Sequence, residues 1–239
     1  MSQLSSYRLL SFDVYGTLID WETGILTAFQ LTLDKNNTTI PAKRILEVYH
    51  DLERAQQNET PNMPYSQLLT TIHAPLSSRL GLQTPTEEES RSFGDSIGQW
   101  PAFSDTVKAL ERLSRRYKLV VLSNVDRDSF ERTNAGSLQG FKFDLVITAQ
   151  DVGFYKPNLR NFEYMLNAVK ARFGVAPTEV LQTAQSQFHD HHPAKKIGLK
   201  SCWIERPGAI MGNRAEAAYD WRFDTLGDMA DAVESGRQE

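Results

Sequence analysis

Four polar residues that could take part in catalysis each stand at the end of an apolar run or beyond one. They are Asp13, Ser123, Lys156 and Asp190. A carboxylate can act as a nucleophile when it is held in line with an electrophilic carbon or phosphorus atom. A nearby lysine keeps such a carboxylate ionised, and a hydroxyl group at a helix start can bind an anion. Taken singly, residues of these types usually cap helices or face solvent, so their meaning depends on whether the fold brings them together.

Apolar runs that are typical of buried strands precede several of these residues. The runs are Tyr7–Phe12, Lys118–Leu122, Leu145–Thr148, Val180–Thr183 and Ser201–Ile204. Helical patterns alternate with them, and one helix, Leu159–Phe173, is predicted to end at Gly174. Repeated strand–helix units imply right-handed crossovers, so the sequence predicts an α/β fold with a Rossmann-like parallel sheet flanked by helices. Ligands of such sheets collect outside the carboxyl ends of the strands.

The segment 21–99 shows helical patterns and no convincing strand. Residues 42–57 have apolar side chains at helical spacing, and Thr86 with Glu89 predicts a capping box. A mostly helical insertion directly behind the strand that carries Asp13 suggests a lid. We therefore predict a helical cap domain at residues 21–99 and an α/β core domain formed by residues 1–20 and 100–239. The alternative, that these helices extend the core, stays open.

The composition of the chain indicates which kinds of molecule it is expected to bind. The chain has 239 residues, a formal net charge of −4 and 40% hydrophobic residues, as expected of an ordinary globular protein. It has neither a basic stripe nor a long apolar run, so we expect no nucleic-acid partner and no membrane span. The single cysteine, Cys202, fits a reducing compartment, and we expect a cytoplasmic protein that binds a small anionic molecule. Whether it forms a homodimer is left open.

The stretch Ser11–Asp20, with the sequence SFDVYGTLID, resembles the nucleophile motif of the haloacid dehalogenase superfamily. Tyr15 within it resembles the variant found in the 2-haloacid dehalogenase branch. Ser123, Lys156 and Asp190 are similar, in this order, to the other three superfamily motifs. The resemblance extends over most of the chain and implies a Rossmann-like core with an inserted helical cap.

The resemblance also implies a role for each motif residue. Asp13 would be the nucleophile, Lys156 would keep it ionised, and Asp190 with Lys156 would position a water molecule. Ser123 and Asn124 would hold the carboxylate of the substrate. The positions expected to contact the substrate are Tyr15, Asn124, His50 and Gln187.

Two features favour carbon–halogen cleavage over phosphate hydrolysis. Phosphatases of the superfamily have an acid at the place of Tyr15, which protonates the leaving alkoxide, whereas a halide leaves without a proton. They also bind Mg²⁺ with a further acid where this chain has the neutral Gln185 and Ser186, and Mg²⁺ favours carboxylates. We therefore expect hydrolysis of short 2-haloalkanoic acids through an aspartyl ester, with no metal and no cofactor. A Mg²⁺-dependent small-molecule phosphatase using Asp13 and Asp190, and a non-catalytic binding protein of the same fold, remain alternatives.

The chain departs from the dehalogenase pattern at three places. Phe162 stands where those enzymes have a tyrosine, and Gln187 stands where they have an asparagine. They also use a lid arginine to hold the departing halide. An ungapped placement puts His50 nearby, with Arg44 and Arg54 as other candidates. These departures concern halide capture and water positioning rather than the nucleophile.

Overall fold

The computed structural model describes residues 3–212 and 216–236, and its centre is a six-stranded sheet. The strands are β1 (Leu9–Phe12), β2 (Lys118–Ser123), β3 (Leu145–Thr148), β4 (Val180–Ala184), β5 (Lys200–Ile204) and β6 (Trp221–Phe223). They lie in the order β3–β2–β1–β4–β5–β6, and every neighbouring pair is parallel. The predicted α/β fold with a parallel sheet is confirmed, and β1, which leads into Asp13, lies inside the sheet between β2 and β4.

The described residues form ten α-helices. They are α1 (Trp21–Lys35), α2 (Ala42–Glu59), α3 (Tyr65–Arg79), α4 (Glu87–Asp95), α5 (Thr106–Leu113), α6 (Arg127–Ala135), α7 (Ala149–Val152), α8 (Leu159–Phe173), α9 (His192–Lys196) and α10 (Leu226–Ser235). Helices α1–α4 all fall between β1 and β2, and residues 21–99 contribute no strand to the sheet. The division into cap and core domains stays a prediction. None of the helices in the described part of the chain is long and apolar enough to cross a membrane.

Two helix ends follow directly from local sequence. The hydroxyl of Thr86 accepts a hydrogen bond from the N–H of Glu89 at 3.2 Å, and the Glu89 carboxylate accepts one from the N–H of Thr86 at 2.6 Å. The predicted capping box therefore starts α4. Helix α8 spans the predicted residues and ends at Gly174, whose φ of 63° lies in the left-handed region that glycine adopts at little cost.

Buried side chains form two apolar clusters, one on each face of the sheet. Successive residues of a strand point to opposite faces, so Leu10 and Phe12 belong to the first cluster while Leu9 belongs to the second. The first cluster continues into the inserted helices through residues such as Phe29 of α1 and Leu69 of α3. Apolar contact therefore runs without interruption from the sheet into α1–α4, which ties the position of those helices to β1.

Candidate active site

Asp13 follows the last residue of β1 and is held at both its backbone and its side chain. Its N–H donates to the carbonyl of Thr183 on β4 at 3.1 Å, and its Oδ2 accepts a 2.8 Å hydrogen bond from the hydroxyl of Thr17. Between them, Gly16 has a φ of 100°, a conformation that favours glycine. The glycine turn thus carries Thr17 back towards the carboxylate that precedes it.

Lys156 joins two carboxylates from distant parts of the chain. Its Nζ donates to Oδ1 of Asp13 at 2.9 Å, to Oδ1 of Asp190 at 2.7 Å and to the carbonyl of Leu122 at 2.8 Å. The side chain is buried, so all three donors of the ammonium group are used by protein acceptors. Burial alone would lower the pKa of Lys156, but Asp13 and Asp190 together raise it above its ordinary value. The group is therefore a fixed positive charge between two acids.

Asp190 lies on a short helical turn, Gln187–His191, that follows β4. Its Oδ1 accepts a further hydrogen bond from Nε2 of Gln182 at 3.0 Å, while its Oδ2 has no hydrogen-bond partner among the described residues. Burial raises the pKa of Asp190 to about 7, and the charge of Asp13 acts in the same direction against the opposing effect of Lys156. A carboxyl group with this pKa and a free oxygen can accept a proton from water near neutral pH.

Asn124 follows β2 and fixes the backbone of Lys156 rather than its side chain. Its Nδ2 donates to the carbonyl of Lys156 at 3.0 Å, and its Oδ1 accepts from the N–H of Lys156 at 2.6 Å. Ser123, the last residue of β2, is buried, and its hydroxyl has no hydrogen-bond partner among the described residues. Of the two residues expected to hold the substrate carboxylate, Asn124 lines the cavity described next, while Ser123 is not among its described lining residues.

A cavity of about 250 Å³ opens beside these groups. On the sheet side it is lined by Asp13, Asn124, Lys156 and Asp190. On the side of the inserted helices it is lined by His50, Glu53, Arg54, Gln57 and Tyr65. Aromatic side chains of Tyr15, Trp21, Trp100 and Phe188 complete much of the remaining wall. The volume suits a small organic molecule, and the polar groups converge from both sides.

A loop after β5 forms a further part of the wall. Ile210 and Met211 line the cavity, and their N–H groups donate to the carboxylate of Glu22 at 2.8–3.0 Å. Glu22 belongs to the first turn of α1, so the start of the inserted segment is bonded to this loop. Gly212, with a φ of 88°, packs so closely on the Gln185 side chain that an added Cβ would lie 2.3 Å from its Oε1.

Tyr15 lines the cavity, but its hydroxyl is poorly placed to act as an acid. The hydroxyl is 2.9 Å from Oγ1 of Thr133, and the ring packs edge-to-face on Trp100 with a centroid distance of 5.6 Å. Burial raises the pKa of Tyr15 above its ordinary value. The phenol therefore holds its proton at neutral pH and contributes shape and apolar surface to the cavity.

Helix α2 presents a linked set of polar groups to the cavity. Nδ1 of His50 lies 3.6 Å from Oε2 of Glu53, and Oε1 of Glu53 accepts a hydrogen bond from the hydroxyl of Tyr65. The Tyr65 hydroxyl is also 2.6 Å from that of Tyr49. The neighbouring carboxylate of Glu53 raises the pKa of His50 against the opposing effect of burial.

Besides Ser123, three positions singled out in the sequence are absent from the described cavity lining. Gln187 is buried, its Oε1 accepts from the N–H of Ala218 at 3.0 Å, and it is absent from the described cavity lining. Phe162 is packed in the second apolar cluster, against residues such as Leu9 on the far face of the sheet. Arg44 is exposed on α2 outside the described lining, whereas His50 and Arg54 line the cavity.

Several residues at the site were not predicted from the sequence, and four of them bond to or lie beside the groups discussed above. They are Thr17, Gln182, Glu53 and Tyr65. A signal existed for Thr17, because it lies in the glycine turn directly after Asp13. Gln182 interrupts the apolar run of β4, and a polar residue inside a buried strand points to a bonded partner. Glu53 and Tyr65 reach the cavity through helix packing and carry no local signal.

The groups next to Asp13 do not fit a Mg²⁺ site. The carboxylates of Asp13 and Asp190 are both bonded to the ammonium group of Lys156, which would repel a cation. Gln185 uses its Nε2 to donate to the carbonyl of Met211 at 3.0 Å, and Ser186 accepts the N–H of His189 at 3.1 Å. Within the described residues, no group of three His, Cys, Asp or Glu side chains is arranged to hold a metal ion.

A family model, curated relatives and solved structures match this chain. Residues 7–181 match the family model of haloacid dehalogenase-like hydrolases. The (S)-2-haloacid dehalogenase of Pseudomonas sp. strain YL is 24% identical over 220 residues, which cover 91% of this chain and 90% of that protein. The phosphoserine phosphatase of Thermus thermophilus is 26% identical over 147 residues, which cover 61% of this chain and 57% of that protein. The structure of L-2-haloacid dehalogenase from Xanthobacter autotrophicus superimposes with a TM-score of 0.77 at 20% identity, covering 95% of this chain and 98% of that one.

Proposed function

The chain belongs to the haloacid dehalogenase-like hydrolases, and from this premise we propose that it hydrolyses the carbon–halogen bond of short (S)-2-haloalkanoic acids. The observation that carries the proposal is Tyr15, which occupies the cavity wall next to Asp13 with its hydroxyl bonded to Thr133 and its pKa raised. An alkoxide leaving group needs a proton from an acid, but a halide is so weak a base that it leaves without one. The similarity to (S)-2-haloacid dehalogenases over most of both chains supports the same substrate class.

In the first step an oxygen of Asp13 attacks C2 of the substrate. A new bond forms between this oxygen and C2 while the carbon–halogen bond breaks, and the halide departs with its electron pair. Lys156 and Thr17 hold the carboxylate in place, because they donate to its Oδ1 and Oδ2 respectively. The product of this step is an ester on Asp13 with inverted configuration at C2.

In the second step water attacks the carbonyl carbon of the ester. Asp190 is suited to accept the proton of this water through its Oδ2, which has no hydrogen-bond partner among the described residues. Its pKa of about 7 is partly due to the charge of Asp13, so the loss of that charge in the ester favours the deprotonated form that a base needs. Lys156 stabilises the negative charge that develops on the ester oxygen. The bond between the carbonyl carbon of Asp13 and the ester oxygen then breaks, and the departing oxygen takes the proton that Asp190 had accepted, so a 2-hydroxy acid is released. The second proton of the water is lost to solvent as Asp13 returns to its carboxylate form. The roles of Ser123 and Asn124 at the substrate carboxylate remain part of this proposal.

A phosphatase is the second candidate, because the chain also resembles a phosphoserine phosphatase over part of its length. One assay separates the two. Halide release from (S)- and (R)-2-chloropropionate is measured beside phosphate release from p-nitrophenyl phosphate, each with Mg²⁺ and with EDTA. We expect halide release from the (S)-enantiomer in both conditions. Phosphate release stimulated by Mg²⁺ would replace the proposal with a phosphatase, and no release of either product would indicate a non-catalytic binding protein.

A further inference from the structure

The wall of the cavity formed by α2 contains an acid next to a histidine, although the proposed substrate and the departing halide are both anions. Glu53 lines the cavity with a largely buried side chain, 13% exposed, and lies beside His50, which is 31% exposed. A carboxylate facing an anion is unfavourable unless a cation stands with it. Glu53 therefore needs a cationic partner at the cavity wall, and His50 is the titratable group beside it.

The contacts of Glu53 place the imidazole of His50 in one orientation. Oε1 of Glu53 is occupied by the hydroxyl of Tyr65, which also contacts the hydroxyl of Tyr49. This leaves Oε2 to face Nδ1 of His50 at 3.6 Å. A carboxylate beside Nδ1 favours a proton on that nitrogen and stabilises the imidazolium form, in which Nε2 also carries a proton. The His50 side chain is partly exposed and lines the cavity, so an N–H at Nε2 is accessible to a bound anion.

We propose that Glu53 is a positioning residue, fixed by Tyr65 and Tyr49, that holds His50 as a protonated anion donor at the cavity wall. This inference rests on the proposed function: His50 would donate to the halide as it leaves C2. Capture of the anion is then governed by pH, unlike capture by a guanidinium group, which stays charged. The anion binds while His50 is protonated and is released as the pH rises.

Other charged groups surround this pair. On α2 they are Asp51 and Arg54, and from the remaining cavity wall they are Asp13, Lys156, His189 and Asp190. Asp51 and Glu53 raise the pKa of His50, while Arg54 lowers it. Lys156 is fully used by its three acceptors. Among the described residues that line the cavity, Arg54 is the competing donor whose charge does not depend on pH near neutrality. The guanidinium of Arg54 lies 5.4 Å from the centre of the Phe188 ring on an exposed side chain, where water weakens its attraction for an anion.

The test measures chloride binding directly, so it does not depend on turnover. The ³⁵Cl NMR line width of sodium chloride is recorded with the whole protein between about pH 6 and about pH 8. We expect broadening at the lower pH that declines as the pH rises. In Glu53→Gln the decline occurs at lower pH and chloride binds roughly tenfold more weakly near neutrality. In His50→Asn the broadening is lost throughout the range.

Glu47→Gln is the matched control, because Glu47 is an exposed carboxylate on the same helix, 3.9 Å from Lys43. It should behave as the wild type, and circular dichroism confirms that each variant is folded. Binding that is independent of pH, or that survives His50→Asn and is lost in Arg54→Gln, would assign the anion to Arg54 and overturn the inference. Absence of chloride binding to the wild type would overturn it as well. Chloride binding with the expected pH dependence in a protein that releases no halide from 2-chloropropionate would uphold the anion site and reject the proposed function.

Discussion

The hydroxyl group of Thr17 donates a 2.8 Å hydrogen bond to Oδ2 of Asp13 and accepts a 2.9 Å bond from the N–H of Gln185. One side chain thus connects the turn after β1 to the residue that follows β4. Because Lys156 donates to Oδ1 of the same carboxylate, both oxygens of Asp13 have a protein donor. The carboxylate cannot rotate without losing a hydrogen bond, so its orientation towards the cavity is fixed before a substrate binds.

Replacing Thr17 by valine should therefore slow the reaction while leaving the fold intact. Loss of a hydrogen bond to a charged group is typically about 1.5–3 kcal/mol, so kcat should fall by about 10- to 100-fold. Steady-state halide release measures this change. Thr17→Ser retains the hydroxyl and should keep most of the activity. A valine variant with the kcat of the wild type would show that Thr17 does not orient Asp13.

Asp13→Asn should abolish halide release, because an amide is far less nucleophilic than a carboxylate of nearly the same shape. In the wild type, a single turnover in H₂¹⁸O should leave the label in the peptide that contains Asp13, as detected by mass spectrometry. Asp128→Asn makes the same change on a side chain of α6 that is 80% exposed, so it serves as the control and should turn over normally. If the label enters only the product, water attacks C2 directly and the ester route is wrong.

The pH dependence of the second step should follow Asp190. Burial raises its pKa to about 7 while Asp13 is charged, and esterification removes the Asp13 charge that contributes to this rise. A general base works in its deprotonated form, so ester hydrolysis should accelerate as the pH rises through a midpoint below that value. Gln182 donates to the Asp190 carboxylate and lowers its pKa, so Gln182→Leu should move the midpoint to higher pH. Single-turnover measurement of ester hydrolysis across this range tests both points. A midpoint that moves downward in Gln182→Leu would contradict the assignment of Asp190 as the base.

His73 in α3 should make the protein sensitive to mild acid. Its ring is buried, its nitrogens contact the hydroxyls of Thr32 and Ser90 at 3.0 and 3.2 Å, and burial lowers its pKa to about 4. An unfolded histidine titrates near pH 6.5, so the stability that His73 contributes is complete above that pH and is lost as the pH falls towards 4. Between about pH 7 and about pH 5 the free energy of unfolding should drop by about 2 kcal/mol more in the wild type than in His73→Phe. Urea denaturation at the two pH values measures the difference, and an equal drop in both proteins would refute it.

Predictions from the sequence succeeded where the signal was local. The strand before Asp13, the capping box of Thr86 and the end of α8 at Gly174 each depend on residues within a few positions of one another. Strand β6 escaped prediction because it has only three residues in a polar stretch at the sheet edge. Its pairing with β5 exists only in the folded chain.

At the candidate site, too, some contacts could be predicted from the sequence and others could not. The contact of Lys156 with Asp13 and Asp190 could be anticipated, because all three follow strands whose carboxyl ends meet at one edge of a parallel sheet. The inward position of Phe162 could not, because motif spacing does not tell which face of the sheet a helix covers. Glu53 likewise reaches the cavity through the packing of α2, and only the three-dimensional arrangement reveals it as a site residue.

The apolar cluster that continues from Phe12 into Phe29 and Leu69 restricts how a substrate can enter. Swinging the inserted helices away from the sheet as a rigid unit would expose that cluster to water, at about 25 cal/mol for each Å² uncovered. The loop bearing Ile210 is held to Glu22 by backbone hydrogen bonds, and its Ile210 side chain is 42% exposed. The inserted helices therefore act as a roof over the cavity whose displacement is opposed by buried apolar contact.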